Sequence, residues 1–434
     1  MVRHHQSSSR SVAALAAIAG NAMEWFDFAM YGYLAVPLSQ AFFPQENSQL
    51  QLLSTFGVFA VGFLMRPIGS LVLGPLGDLI GRRFLLSASL YLMGLSSLLI
   101  ACLPNYDSWG WRAPFALTIL RMVQGFSVGG EFTGSIAFNA ETAPRGKRCL
   151  VCSLTSAGAQ LGFSLAALTA GLSAWWFGGS PNAEWTWRLP FLLGSGVVLL
   201  AVWMQRRLPE SLGSPRTDTW RQLNAAVVER LQELVTRWRL VLKVMALVGF
   251  TNVVFYLAMV FLVDFSVRQS GEAAAANANA SAIQTGGVLL VMASGALADR
   301  FGLLRINRWG NVAALLLVVP ALWLGIQGTV LNMTIALLLL VVPLMMVLGT
   351  QGLLGALLVP SRERCAVFSL AYSLSVALFG GTAPLLAGWL IDQQAVGWLL
   401  FYPVPLGVLC LIALSRSQSQ LAREECEPWE TAQR

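Results

Sequence analysis

Twelve apolar runs, each close to the ~20 residues an α-helix needs to cross a bilayer, recur along this 434-residue chain. They cover roughly 12–37, 50–74, 84–103, 113–141, 149–177, 188–205, 241–267, 279–299, 307–327, 331–355, 365–391 and 396–414. Lipid offers no partner to backbone N–H and C=O, so a crossing segment must satisfy them itself, and runs this long exceed the ~10 residues of a barrel strand. The expected fold class is an all-α membrane protein with twelve transmembrane helices. Composition agrees: 56% of residues are apolar and 11% charged, with a mean hydropathy of +0.65, whereas soluble domains are about 25% charged. So few charges cannot cover a water-facing surface of this size. A soluble enzyme, a disordered chain and a nucleic-acid binder are excluded.

The basic residues set an orientation. Of the 28 Lys and Arg residues, 23 fall in the N-terminal tail, the even-to-odd loops (such as Arg82 and Arg83, Lys147 and Arg148, or Arg362 and Arg364) and the C-terminal tail. Three (Arg112, Arg188 and Arg268) lie near the other side, and Arg66 and Arg121 fall within or near the ends of spans. Both termini are expected in the cytoplasm, and the net charge of +7 follows from topology without a polyanionic partner. The expected organisation is a tail over 1–11, six spans over 12–205, a polar linker over 206–240, six spans over 241–415 and a tail over 416–434. From Arg216 to Leu240, Trp220, Leu223, Val227, Leu231, Leu234, Val235 and Trp238 recur at helical spacing, which predicts an amphipathic helix on the inner membrane surface.

Catalytic and metal chemistry find little footing. The two histidines, His4 and His5, sit together in the polar tail, and Cys149-x-x-Cys152 opens an apolar helix with no second ligand pair. No metal, cofactor or nucleophile–base site is expected. No Walker A motif is present, so ATP is not the expected driver, and the glycine-rich runs lie inside apolar helices rather than after strands. No small-residue cleavage site ends a short apolar run, so no removable signal peptide is read.

Two segments match across the halves: Gly74-Pro-Leu-Gly-Asp78-Leu-Ile-Gly81-Arg82-Arg83, and Gly295-Ala-Leu-Ala-Asp299-Arg300-Phe-Gly302. Their aspartates are 221 residues apart, and the turns Pro144–Arg148 and Pro360–Arg364 are offset by 216. Each stands at the same place in its six-span half, so two pseudo-symmetric six-helix bundles are expected. With Gly20-Asn-Ala-Met-Glu24-Trp-Phe-Asp27-Phe in span 1, Phe63-Leu-Met-Arg66-Pro67 in span 2, Arg121-Met-Val-Gln124-Gly125 through Gly129-Gly130-Glu131 in span 4 and Leu208-Pro-Glu210-Ser after span 6, the chain resembles the major facilitator superfamily. More narrowly it resembles the metabolite:proton symporter branch of proline/betaine, citrate, α-ketoglutarate and shikimate permeases. Leu79 departs from the basic residue usual after the loop aspartate, Leu303-Leu304 from a common basic pair, and the short C-terminal tail lacks the coiled coil of osmosensing members.

A charge at the bilayer centre costs about 2.5–3.5 kcal/mol on the lenient insertion scale, so ionisable groups inside spans are the strongest functional candidates. Glu24, Asp27 and Tyr31 lie at i, i+3 and i+7 and are expected to look into a central chamber. Burial and a neighbouring carboxylate both oppose the charged form, which makes Glu24 or Asp27 a candidate proton carrier; the alternative is that they brace Arg66 or Arg121. The resemblance implies that Arg121-x-x-Gln124-Gly125 takes part in proton coupling. Arg121 either governs the carboxylate proton or grips a substrate carboxylate, and Glu131 takes a proton, a cationic substrate group or a structural partner. Candidate substrate-binding residues are Tyr31, Arg66, Gln124, Gln160, Asn252, Tyr256 and Gln351; Arg66 alternatively snorkels to the membrane surface. Trp25, Phe28, Phe255 and Trp389 are candidate aromatic walls. The resemblance gives Asp78, Arg82, Arg83, Asp299 and Arg300 a gating role.

The function expected is import of a small polar metabolite with a proton, by alternating access, in the plasma membrane (the inner membrane of a bacterium). The expected partners are substrate, proton and lipid, with a monomer as the working unit. The substrate is a zwitterion such as a betaine or amino acid, or an organic acid. The rivals are a proton-antiport exporter and a transporter-shaped sensor that binds without flux.

Overall fold

The structure, a computed structural model, describes residues 2–44, 48–80, 82–129, 131–144, 146–178, 183–205, 235–359 and 367–426, with scattered positions between 224 and 232. Within those helices only the backbone is described at 2–17, 48–49, 74–80, 82–87, 131, 138, 141–142, 197–205 and 419–426. Every regular element among the described residues is a helix. Span 1 is Val2–Tyr33, continued by Ala35–Phe42; span 2 is Ser48–Ile80; span 3 is Arg82–Cys102. Span 4 is broken into Arg112–Ser127 and Glu131–Thr142; span 5 is Arg148–Phe177; span 6 is Trp185–Gln205. In the second half, span 7 is Trp238–Ser270 with a π-helical turn at Leu257–Phe261, span 8 is Ala273–Phe301, span 9 is Leu303–Gly325 and span 10 is Val330–Leu358. Span 11 is Ser369–Asp392 with a π turn at Val376–Gly381, and span 12 joins Val396–Phe401 to Pro403–Cys426. Among the described residues, spans 2, 5 and 7–12 are long and apolar enough to cross a membrane.

The helices run past several boundaries read from hydropathy, because a helix does not stop where its side chains turn polar. Span 1 begins at Val2, inside the segment read as a tail, and span 8 begins at Ala273 rather than near 279. The join near 330 is a sharp one: Gly328 adopts φ +78 and the Thr329 hydroxyl caps the next helix by accepting from the Asn332 N–H at 3.2 Å. Of the amphipathic helix expected over 216–240, the described positions before Trp238 are mostly helical and exposed, and the remainder lies outside the described residues.

Glycine lets helices in the first half touch backbone to backbone. A Cβ on Gly125 of span 4 would stand 1.8 Å from the Gly62 carbonyl of span 2, and one on Gly162 of span 5 would stand 2.3 Å from the Ala22 carbonyl of span 1. Small residues at such crossings are what dispersion-driven packing in lipid selects. The halves meet along four seams. Spans 5 and 8 join through polar side chains: Gln160 donates to Gln284, and the Ser281 hydroxyl donates to the Ser164 carbonyl at 2.9 Å. Spans 2 and 11 join through apolar contacts, with Gly381 against Phe63 and Gly388 against Leu53. Gly32 of span 1 meets Val260 of span 7 towards the side opposite both termini, hereafter the far side, and Ile136 of span 4 meets Gly352 of span 10 towards the terminal side. Contacts at both ends enclose the middle of the molecule.

Candidate functional site

Two buried acid–base clusters hang from span 1. In the first, Arg66 Nη2 donates to Glu24 Oε1 across spans 1 and 2, with Glu24 fully buried and Arg66 3% exposed. The Arg66 guanidinium carbon stands 4.7 Å from the Trp25 ring centre, 5.0 Å from that of Phe28 and 5.6 Å from that of Phe63. Trp25 stacks on Phe163 at 5.7 Å and meets Phe132 edge-on at 6.0 Å. The second half completes the ring of aromatics. Tyr256 of span 7 meets Phe63 edge-on at 5.3 Å, and Tyr372 of span 11 stacks on Phe132 at 5.0 Å. Both tyrosines lie within electrostatic reach of Arg66 and Glu24. The pair therefore sits where the two halves meet, inside an aromatic box. Three buried polar atoms there, Arg66 Nη1, Trp25 Nε1 and the Tyr256 hydroxyl, have no hydrogen-bond partner among the described residues. A buried unpaired polar group costs about 1–3 kcal/mol, a cost that an acceptor placed within the box would remove.

In the second cluster, Ser97 of span 3 donates to Asp27 Oδ1, and Gln124 Nε2 of span 4 donates to Asp27 Oδ2 at 2.7 Å. Arg121 Nη1 donates to Gln124 Oε1 at 2.9 Å, and its guanidinium carbon lies 4.4 Å from the Tyr31 ring centre. Asp27 is 2% exposed and Arg121 is fully buried. Every contact named here comes from spans 1, 3 and 4, within the first half. Gln124 stands between acid and base, so Asp27 and Arg121 feel each other's charge without a direct bond. Phe28 bridges the clusters, its ring centre 5.0 Å from both Arg66 and Arg121.

The expectation that Glu24, Asp27 and Tyr31 share one outlook is corrected. Residues three apart on a helix differ by about 60° around the axis, and here that turns Glu24 to the junction of the halves and Asp27 into the first half. Tyr31 goes with Asp27: its hydroxyl donates to the Thr55 carbonyl at 3.3 Å and its ring faces Arg121. Arg66 does not snorkel, because Glu24 and three aromatic rings hold it. Gln160 is engaged in the seam with Gln284, which in turn donates to the Tyr33 hydroxyl at 2.5 Å. Asn252 and Gln351 are buried, with Asn252 Nδ2 and both Gln351 amide atoms unpartnered among the described residues. Phe255 packs edge-on to Phe163 at 4.8 Å and Tyr256 at 5.6 Å. Trp389 is 48% exposed and stands apart from the aromatic box.

Asp299 ties the halves. Its two oxygens accept from the N–H groups of Cys149 at 2.8 Å and Leu150 at 2.9 Å, where span 5 begins, a position that favours negative charge. Arg300 is exposed beside Phe301 at 5.4 Å. The side chains of Asp78, Arg82, Arg83 and Glu131 lie outside the described residues. Sequence reasoning missed Ser97, Phe63, Phe132, Phe163 and Tyr372. A serine in an apolar helix carries no pattern, and the aromatics are indistinguishable by spacing from packing residues. The π turns in spans 7 and 11, which follow Tyr256 and Tyr372, were also absent from the periodicity, although such turns often mark functional sites.

The family model of the Major Facilitator Superfamily matches residues 17–375. The chain belongs to the Major Facilitator Superfamily. Among curated relatives, the ectoine/proline transporter of Corynebacterium glutamicum is 32% identical, over 93% of this chain and 84% of its own length. The proline/betaine transporter of Escherichia coli K12 is 33% identical, over 88% and 78%, and the citrate-proton symporter of Klebsiella pneumoniae is 32% identical, over 94% and 92%. Among solved structures, the proton:xylose symporter XylE bound to 6-bromo-6-deoxy-D-glucose superposes with a TM-score of 0.73 at 16% identity, covering 95% of this chain and 96% of that one. That likeness shows the fold: two bundles of six helices. The superfamily and these relatives are transporters rather than enzymes.

Proposed function

We propose that this chain imports a small zwitterionic metabolite together with protons, by alternating exposure of the aromatic box to the two sides of a bacterial inner membrane. The observation that carries this reading is the Arg66–Glu24 pair, buried at the junction of the bundles with Arg66 Nη1 unpartnered among the described residues. A substrate carboxylate would take Arg66 Nη1 and the Trp25 and Tyr256 donors. A substrate ammonium would sit against Glu24 and the faces of the surrounding rings, which attract cations. A zwitterion adds no net charge to a buried, balanced pair. Citrate would bring two or three uncompensated charges into it, a cost of several kcal/mol each. The proline/betaine and ectoine/proline relatives agree with this preference over the citrate relative.

The second cluster supplies the coupling. Asp27 accepts the proton from the far side and gives it up on the terminal side. Gln124 relays the change to Arg121: when Asp27 is neutral, its hydrogen bond to Gln124 weakens and Arg121 is freed towards Tyr31 and Phe28. Residues 12–205 and 241–415 move as two bundles, the linker over 206–240 lies on the inner surface, both termini are cytoplasmic, and one chain is the working unit in the lipid bilayer. Asp299 fastens the terminal side while the far side is open, and Asp78, Arg82, Arg83 and Arg300 belong to the same gate. Glu131 serves the proton path.

Purified protein in liposomes tests this reading. Glycine betaine and proline should each raise the melting temperature and be taken up when the outside is made acidic. Stabilisation and uptake of citrate alone would overturn the substrate class, and binding of any of them without flux would favour a sensor.

A further inference from the structure

Asp264 in span 7 is the one buried carboxylate of the second half among the described residues, at 2% exposure. It lies at the far end of the molecule, on the seam with span 1. Its carboxylate abuts the backbone N–H of Val36, in the first turn of Ala35–Phe42, and the charge it feels is that of Arg268, one turn along its own helix. Neither oxygen completes a well-formed hydrogen bond among the described residues. The contrast with Asp299 is direct: both aspartates belong to the second half and reach for the start of a helix in the first. Asp299 makes two full bonds there, at 2.8 and 2.9 Å, and Asp264 makes none.

The surroundings do not repair this deficit. Helix Ala35–Phe42, the π turn Leu257–Phe261 and span 10 carry no ionisable residue. Span 8 begins beside Glu272, which is exposed; Arg305 and Arg308 of span 9 stand at its opposite end; span 1 offers the phenols Tyr31 and Tyr33, and Asp27 beyond them. A buried carboxylate so poorly paired is costly. Two events relieve the cost: the seam opens and water reaches the oxygens, or the carboxylate binds a proton from the far-side solution and becomes a neutral donor. Charge therefore favours the open far side and a proton favours the closed one.

We infer that Asp264 is a second proton-binding site, set in the far-side gate, whose occupation by a proton allows the bundles to close over the aromatic box. This inference rests on the transport reading but is separable from the role given to Asp27. The test places nitroxide labels at Asp107→Cys and Gln393→Cys, on far-side loops of the two halves, in a chain otherwise lacking cysteine and held in lipid nanodiscs, and measures the distance between them by pulsed electron resonance. Acidification should shift the wild-type population several-fold from the longer to the shorter distance. Asp264→Asn should hold the shorter distance at every pH, Asp264→Glu should restore the shift, and Asp27→Asn should leave it intact. A wild-type pH response surviving in Asp264→Asn, no response in the wild type, or a longer distance in Asp264→Asn would each overturn the inference. Failure of the import reading would appear separately, as absent uptake in liposomes with the distance shift intact.

Discussion

Glu24 and Asp27 leave span 1 three residues apart, yet they inhabit different environments. Glu24 meets Arg66 directly, in a box whose walls come from both halves and which retains unpaired donors. Asp27 is held by Ser97 and Gln124 within the first half, and meets Arg121 only through the Gln124 amide. The difference teaches how one helix can hold two acids in unlike surroundings. A group on the moving interface can greet a ligand from either side, whereas a group within one bundle can change its protonation without breaking the interface. Phe28, equidistant from both guanidinium groups, is a side chain the two clusters share.

Substitutions that separate the clusters test this contrast. Glu24→Gln should have the largest effect, because it strands the Arg66 charge in a buried box; breaking such a pair costs about 3–5 kcal/mol. Binding of glycine betaine or proline, measured by calorimetry, should weaken beyond detection, and unchanged affinity would erase the distinction between the clusters. Arg66→Lys keeps the charge but loses the planar fork and its contact with three rings. An expected loss of about 1.5–3 kcal/mol, the worth of a hydrogen bond to a charged group, corresponds to a dissociation constant raised about 10- to 160-fold, which the same titration would read. Asp299→Asn removes a charged acceptor from the start of span 5. It should lower thermal stability by about 1–2 kcal/mol and alter turnover with little change in affinity, since Asp299 touches neither cluster. The smallest expected effect is that of Tyr33→Phe, which removes the hydrogen bond that Gln284 of span 8 donates to span 1, about 0.5–1.5 kcal/mol, visible as a modest fall in melting temperature.

Much of this architecture was legible in the amino-acid order. Runs long enough to span lipid and the repeated Gly–Asp–Gly loop specify helices and two related halves, because the bilayer leaves so few alternatives. Charges inside apolar helices drew attention to Glu24, Asp27, Arg66 and Arg121 for the same reason. Helical spacing could not say which neighbour each would choose. Whether Asp27 meets Arg66 or Arg121 depends on how spans 1, 2, 3 and 4 rotate about their axes, and that is decided by backbone contacts such as Gly62 with Gly125. Of the aromatic box, Trp25, Phe28 and Tyr256 were legible as candidates, whereas Phe63, Phe132, Phe163 and Tyr372 were not, because they are scattered over spans 2, 4, 5 and 11 with the spacing of packing residues. Asp264 passed unnoticed because it stands near the end of an apolar run, where a carboxylate reads as membrane-surface polarity. Its burial comes from the helices packed around that end of span 7, spans 8 and 10 and Ala35–Phe42 among them.

The separation of recognition from coupling is tested most directly by one pair of transport assays on Asp27→Asn in the same liposomes. Counterflow exchanges labelled for unlabelled solute and needs no net proton movement; uptake driven by an imposed pH gradient does. Counterflow of glycine betaine or proline is expected to remain within a few-fold of wild type while gradient-driven accumulation falls to background. Loss of both together, or accumulation that survives the substitution, would contradict the account.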